Sequence, residues 1–165
     1  MSERDGSTGR IPIESFVVSV YVCKKEDDRG RYLLLKRKSK YMYGLWQQVS
    51  GKIKKGETGW QAAIREIKEE TGLVPESLYS ADVVESFYEA NQNCVNIIPV
   101  FVAFVGGDSK VVLSSEHSEY KWLAAEEAIE HVSFPLQKMA IDLIEKQFVR
   151  RNPPEELKIN RGFST

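Results

Sequence analysis

The sequence is short of the features that mark several protein classes. It holds only two cysteines and two histidines in 165 residues. Cys23 and Cys94 both lie in apolar, strand-like runs without metal-ligand spacing, so they are expected as buried thiols rather than as a disulfide or a nucleophile. His117 is expected in an exposed loop and His131 near a helix end, and neither has a partner that would suggest Ser/His or Cys/His nucleophilic catalysis. The formal net charge of −1 leaves no basic excess to draw the chain to nucleic acid polymers or to a membrane surface. No apolar run is long enough to span a bilayer, and the opening MSERDGSTGR lacks a signal-peptide core, from which a cytoplasmic location is expected. Internal repeats and low-complexity linkers are also missing.

What is present suits one domain with a sizeable core. Residues 1–10 read as a loose polar tail, 11–150 as the domain, and 151–165, with Pro153-Pro154, as a second tail partly docked at most. Residues 14–23 (ESFVVSVYVC) are β-branched and aromatic and predict a strand. A turn at 27–30 leads to a paired strand at 31–37, and 45–50 predicts a short strand. Strands are also expected at 80–88 and at 95–105, the second nearly all apolar and therefore central, with Pro99 marking a bulge or an edge register. A polar loop at 106–118, a short strand at 120–123 and helices at 124–131 and 135–149 complete the chain. Strands on both sides of a helix, with helices at the end, give an α/β layered domain.

The remaining stretch, GKIKKGETGWQAAIREIKEETGL from Gly51 to Leu73, carries the chemistry. On a helix, Trp60, Ala63, Ile64 and Ile67 fall on one core-facing stripe, and Glu66, Glu69 and Glu70 fall together on the next. Lys68 alone does not balance those acids. Carboxylates about 6 Å apart repel by roughly 3 kcal/mol per pair at an effective dielectric near 20, or about two pKa units. A divalent cation removes that penalty, and an oxygen-only ligand set on a partly open face suits Mg²⁺ or Mn²⁺ better than Zn²⁺. A solvated acidic helix face is the alternative.

The segment fits Gly-x5-Glu-x7-Arg-Glu-[aliphatic]-x-Glu-Glu-x-Gly-[aliphatic] at Gly51, Glu57, Arg65, Glu66, Ile67, Glu69, Glu70, Gly72 and Leu73. This resembles the signature box of the Nudix hydrolases, which cleave nucleoside diphosphates linked to another moiety. The resemblance implies an α/β/α sandwich with a mixed β-sheet between helices. It also implies that Glu69 and Glu70 are metal ligands, that Glu66 is a ligand or the water-activating base, and that the Gly51 carbonyl completes the shell. Glu57 and Arg65, eight residues apart, are too distant for an i,i+4 pair and are expected to meet where the loop folds back, orienting rather than reacting. Family members often present one more glutamate from a late loop, and in SSEHSEYKWL that is expected to be Glu116 before Glu119.

Substrate contacts are expected from Arg37, in the basic run Lys36-Arg37-Lys38 with Lys40, and from Lys52 beside Lys54 and Lys55 at the box loop. Tyr41, Tyr43 and Trp46 crowd the entry to the box, and Phe87-Tyr88 ends a later strand, so Trp46 and Tyr88 are candidates to stack on a ring. LWQQVSGKIKKGET and EHSEYKWL look similar to the dihydroneopterin triphosphate diphosphatases, also described as dATP pyrophosphohydrolases. That likeness implies a nucleoside or pterin triphosphate substrate, cut to monophosphate and pyrophosphate. Diadenosine polyphosphate hydrolases usually carry Phe-Pro-x-Gly where this chain has Val49-Ser50-Gly51. The ADP-ribose cleavers usually show a proline where Tyr88 stands. A nucleotide-sensing module that does not cut would be expected to lack a box carboxylate, and all are retained. The oligomeric state is open, a homodimer being one form.

Overall fold

The computed structural model describes residues 9–160. The expected tail at 1–10 therefore lies mostly outside the described residues, as does the end of the second tail. Eight strands form one mixed sheet. They are β1 (Ile13–Glu14), β2 (Val17–Glu26), β3 (Arg29–Arg37), β4 (Trp46–Gln47), β5 (Val49–Lys52), β6 (Ser77–Glu89), β7 (Cys94–Phe104) and β8 (His117–Ala124). The helices are α1 (Gly59–Thr71), α2 (Ala125–His131) and α3 (Pro135–Ile144), and a π-helical turn over Glu145–Val149 continues α3. The expected single helix at 135–149 thus changes register at its last turn.

β7 is central, parallel to β2 through Ser19↔Val100 to Cys23↔Phe104 and antiparallel to β6. Pro99 sits at the irregularity between Ser80 and Val84 of β6, where a residue without an N–H costs no ladder bond. β2 and β3 pair only near their turn, Cys23–Glu26 against Arg29–Tyr32, and then diverge. The next segment fills the fork. β4 pairs β3 through Gln47↔Leu35 and Trp46↔Lys36, while β5 pairs β2 through Val49↔Val20 to Lys52↔Val17. β8 covers the far edge of β3. After α3 the chain stays docked, with Ile159 N–H donating to the Leu78 carbonyl at 2.8 Å.

Side-chain alternation along these strands gives two apolar layers. Val18, Val20, Leu33, Leu35 and Val49 face α1, whereas Tyr21, Tyr32, Leu34, Val100 and Val102 face α2 and α3. Cys23 and Cys94 are free and buried. In α1 the buried residues are Ala62, Ala63, Ile67, Glu70 and Thr71, with Trp60 and Ile64 only half-buried. The helix is rotated from the expected stripe because two adjacent alanines let it lie close on the sheet, and this rotation carries Glu70 into the buried face.

Thr58 starts α1. Its hydroxyl accepts from the Gln61 N–H at 3.2 Å, and the Gln61 side chain accepts from the Thr58 N–H at 2.9 Å. Gly72 ends the helix in the left-handed region at φ 72°, donating to the Lys68 carbonyl. Thr58→Ala is expected to remove about 1 kcal/mol of stability by orphaning the first-turn donor. The check is thermal unfolding, where a fall of a few degrees is the expected reading.

Candidate active site on the α1 face of the sheet

The site forms where the second half of α1 lies against β5. Glu66 packs directly on Gly51, and any Cβ at position 51 would overlap its carboxyl group. One turn on, Glu70 is buried. Its Oε2 is sealed from solvent without a hydrogen-bond partner. Glu69 stays on the exposed rim, where Lys54 Nζ lies 3.7 Å from Oε1. The three acids are therefore graded by depth rather than spread on one even stripe.

Arg65 organises the rim with all of its guanidinium nitrogens. Nε and Nη2 donate to the two oxygens of Glu57 at 2.7 and 2.8 Å. Nη1 donates to Glu66 Oε1 at 2.7 Å and to Glu69 Oε2 at 3.1 Å, and Nη2 also reaches the Lys52 carbonyl at 2.8 Å. Such a planar fork matches three carboxylates and a carbonyl at once, which a lysine would not. Glu57 meets Arg65 because Gly56, at φ 81°, turns the loop back onto the helix. The guanidinium, helped by the Lys54 N–H, holds the Glu57 carboxyl down at about 2.

The loop before β8 closes the site from above. Val112 N–H donates to the Thr71 carbonyl at 2.8 Å and Ser114 N–H to the Glu70 carbonyl at 3.3 Å, while Lys38 N–H ties the Glu116 carbonyl to the end of β3. Glu116 is thereby held near enough for its charge to act on both Glu66 and Glu70. Burial raises the Glu66 pKa, against the Arg65 bonds, and the Glu69 and Glu116 charges raise it further. For Glu70, burial first and then repulsion from Glu66 and Glu116 push the value up to about 9, despite Arg37 and the Ser50 N–H. Burial, with the neighbouring carboxylates adding to it, is thus what makes Glu70 hold its proton.

The site fits a divalent cation on two counts. Glu70 presents an orphaned, sealed oxygen, and Gly51 leaves room against Glu66 for backbone and carboxylate oxygens to meet. Among the described residues no group of three or more acidic, His or Cys side chains is arranged to hold a metal ion by itself. An open set of oxygen donors is what Mg²⁺ takes, since it keeps waters and shares its shell with phosphate.

His117 departs from expectation. It is the first residue of β8 and buried, not an exposed loop residue, and neither ring nitrogen has a partner. Burial, reinforced by Arg37, holds its pKa below the ordinary value, so it is neutral near pH 7. Its Cα partner is Arg37, which places both on the α1 face. Arg37 is braced by Nε donating to the Tyr41 carbonyl at 2.8 Å and Nη2 to Ser39 Oγ at 2.7 Å. Gln47, another residue the sequence did not flag, has a buried, unpartnered Nε2 next to Leu35 on the same face.

The sheet separates Lys36 and Trp46 from this cluster. Lys36, next to Arg37, points to the α2/α3 side, where its Nζ lies 3.7 Å from Glu119 Oε1. Trp46 is on that side too, edge-on to His131 at the end of α2 and covered by Lys121 Nζ at 4.9 Å from its ring centre. Lys52 is exposed and serves the site through its carbonyl. Tyr41 and Tyr43 are exposed in the turn before β4. Tyr88 sits by the β6–β7 turn with its hydroxyl donating to Asn93 Oδ1 at 2.7 Å. Two shallow hollows of about 280 and 400 Å³ lie at the other end of β2, around Lys24 and Lys25, and include none of these residues.

The NUDIX domain family matches residues 15–146, most of the chain. This chain belongs to the Nudix family, whose hydrolases act on phosphoanhydride bonds. Among its relatives, the asymmetrical bis(5'-nucleosyl)-tetraphosphatase of Caenorhabditis elegans is 35% identical over 110 residues, 66% of this chain and 78% of that protein. The dihydroneopterin triphosphate diphosphatase of Escherichia coli K12 is 32% identical over 120 residues, again 66% of this chain and 78% of that protein. An octanoyltransferase of Myxococcus xanthus is 33% identical over 71% of this chain, which spans only 33% of that longer protein. The solved structure of the E. coli dihydroneopterin triphosphate pyrophosphohydrolase superposes with a TM-score of 0.67 at 26% identity, covering 84% of this chain and 94% of that one. No helix of the described residues is long and apolar enough to cross a membrane.

The Glu70 environment predicts a pH signature. Without a cation its folded pKa of about 9 lies above the ordinary carboxylate value, so between the two the unfolded chain is ionised while the folded one holds the proton. Its contribution to stability is complete below the ordinary value and is lost as pH rises towards 9. Melting temperatures in chelator should fall from pH 5.5 to 8.5 more steeply for the wild type than for Glu70→Gln. The rise in melting temperature on adding Mg²⁺ should grow with pH, because binding displaces the proton. Identical profiles for the two proteins would refute the assignment.

Proposed function

We propose that the protein is a metal-dependent pyrophosphohydrolase that cuts a nucleoside or pterin triphosphate, dATP or dihydroneopterin triphosphate among the candidates, to the monophosphate and pyrophosphate. The observation that carries this reading is the buried, unpartnered Glu70 oxygen beside Glu66 and Gly51, under a loop that brings in Glu116. Glu66, Glu69, Glu70, Glu116 and the Gly51 carbonyl are the oxygens that would hold Mg²⁺, or Mn²⁺ in its place. Bound there, the cation supplies neutralisation of the diphosphate oxygens and acidification of a water. In this reading Glu66 or Glu116 takes the proton of the attacking water, Arg65 and Glu57 fix the carboxylates and the loop, and Arg37 meets a phosphate. The likeness to the E. coli diphosphatase supports a triphosphate substrate.

A second reading, cleavage of a dinucleoside polyphosphate, is favoured by the 35% identity to the C. elegans tetraphosphatase. Val49-Ser50 before Gly51 counts against it.

Pyrophosphate and phosphate release from dATP, dihydroneopterin triphosphate, 8-oxo-dGTP, ADP-ribose and diadenosine tetraphosphate, with Mg²⁺ or with chelator, separates these readings. Pyrophosphate from a triphosphate, only with the metal, is expected. Turnover of diadenosine tetraphosphate alone selects the second reading, and no turnover at all leaves a binding module. Glu70→Gln should lower turnover at least about a hundredfold in a folded protein.

Single-turnover rates test the loop glutamates. Glu116→Gln is expected to slow the chemical step by about ten- to a thousandfold with little change in affinity. Glu119→Gln, whose carboxylate pairs with Lys36 on the other face, should stay near wild type.

A further inference from the structure

Gln48 stands where the chain crosses the fork in the sheet. Trp46 and Gln47 pair with β3, and Val49 to Lys52 pair with β2, so Gln48 alone in this run pairs with neither strand. Its side chain supplies the ties that strand pairing does not. Nε2 donates to Ser19 Oγ of β2 at 2.8 Å, and Oε1 accepts from Gln137 Nε2 of α3 at 2.9 Å. Gln137 Oε1 accepts in turn from the Phe134 N–H at 3.1 Å, and Ser19 Oγ donates to Glu85 Oε1 of β6 at 2.9 Å. Ser19, Gln48, Glu85 and Gln137 are all buried.

The direction of this chain is set at its backbone end. An N–H can only donate, so the Gln137 amide presents its oxygen to Phe134 and its nitrogen to Gln48. Gln48 then presents its nitrogen to Ser19, whose hydroxyl is left to donate to Glu85. The Tyr21 hydroxyl donates to the same carboxylate oxygen at 3.0 Å. Gln48 therefore has one orientation and one pair of partners.

Packing alone does not call for such a chain. Replacing both members of a buried polar pair by apolar groups of the same shape costs little stability, whereas directional bonds hold one register against its neighbours. Register is what β5 cannot set for itself. Of Val49, Ser50, Gly51 and Lys52 only Val49 is buried, and a short polar strand with a glycine is weakly specified by its own pattern. A slip of one residue would move the run about 3.4 Å along β2 and turn the Gln48 side chain to the other face. None of its bonds would survive that slip.

The acidic site on the α1 face depends on this register. Val18 pairs with Gly51 and Ser19 with Ser50. Gly51 lies beneath Glu66, where a Cβ would overlap the carboxyl group, and the Ser50 N–H bonds to Glu70. A slip of one would bring Ser50 or Lys52 into the Val18 rung and drive its side chain into Glu66.

We propose that Gln48 and Gln137 are positioning residues for the metal site: their amide pair locks the register of β5, which keeps Gly51 beneath Glu66 and the Ser50 N–H on Glu70. This rests on the metal-dependent reading of the α1-face acids. Both glutamines lie on the α3 face and act across the sheet through the backbone of β5.

The double variant Gln48→Met/Gln137→Met tests this, because it removes both polar partners and nearly keeps their shape. It should melt within a few degrees of the wild type. In metal-free protein, exchange of the Ser50 amide hydrogen, followed by NMR, should quicken at least about tenfold as β5 opens locally. Mn²⁺ affinity, read from the EPR signal of the free ion, should fall about ten- to a hundredfold, the range for lost supporting bonds around a metal. Ser19→Ala removes a single hydroxyl from the same chain and should move both readouts in the same direction. Ile141→Val, buried on the same face but outside the chain, should lower the melting temperature and move neither. Wild-type exchange or wild-type Mn²⁺ affinity in the double variant, or in Ser19→Ala should the double variant not fold, would overturn the proposal. Equal shifts in Ile141→Val would overturn it too. If the wild type itself binds no Mn²⁺, the metal reading fails and Ser50 exchange alone decides the lock: faster exchange in the double variant keeps it, and unchanged exchange removes it.

Discussion

The constraint on which the site depends is the close approach of α1 to β5. Gly51 has no side chain, so the Glu66 carboxyl rests on the strand backbone, and Ala62 and Ala63 let the rest of the helix follow. A helix held a side chain's depth further out would leave Glu70 in water, where its charge would be unremarkable. Pressed against β5, Glu70 becomes a carboxylic acid that burial and neighbouring acids keep protonated. The energy of that crowding favours whatever replaces the proton with a stronger positive charge. Packing and metal affinity are therefore two consequences of one contact.

Arg65 makes the crowding tolerable. Its guanidinium spreads one charge over Glu57, Glu66 and Glu69 while also bonding the Lys52 carbonyl at the end of β5. The loop, the strand and the helix thus meet on one rigid cation, which orients the acids without occupying the space over Glu70. The loop before β8 adds the last wall through backbone bonds to the end of α1, and that is how a residue 46 positions beyond Glu70 comes to share its field.

The fork between β2 and β3 gives the sheet two working faces. Because β4 and β5 fill it as one short run, consecutive residues diverge. Gln47 faces the acids and Gln48 the Glu85 network, just as Arg37 and Lys36 part on the neighbouring strand. The acidic cluster and the Glu85 network are then served by neighbouring residues on opposite faces of one sheet.

Much of this was legible in the chain itself. The glutamate spacing in residues 51–73 depends only on helical periodicity and a turn, which are local, and so the acidic helix, its glycine stop and the Glu57–Arg65 encounter could be read directly. Strand runs rich in Val, Tyr and Phe likewise announced most of the sheet. The order and register of those strands are another matter, because residues far apart in sequence set them. Which face His117, Trp46 and Glu119 occupy depends on the β3–β4 and β3–β8 pairing and on the bulge at Lys36/Arg37, where a shift of one residue reverses every side chain. The Glu85 network was invisible for the same reason. Ser19, Gln48, Glu85 and Gln137 come from four separate elements, and no spacing along the chain records that they meet. Local periodicity determined the composition of the helix and its acids, and long-range pairing alone decided what surrounds them.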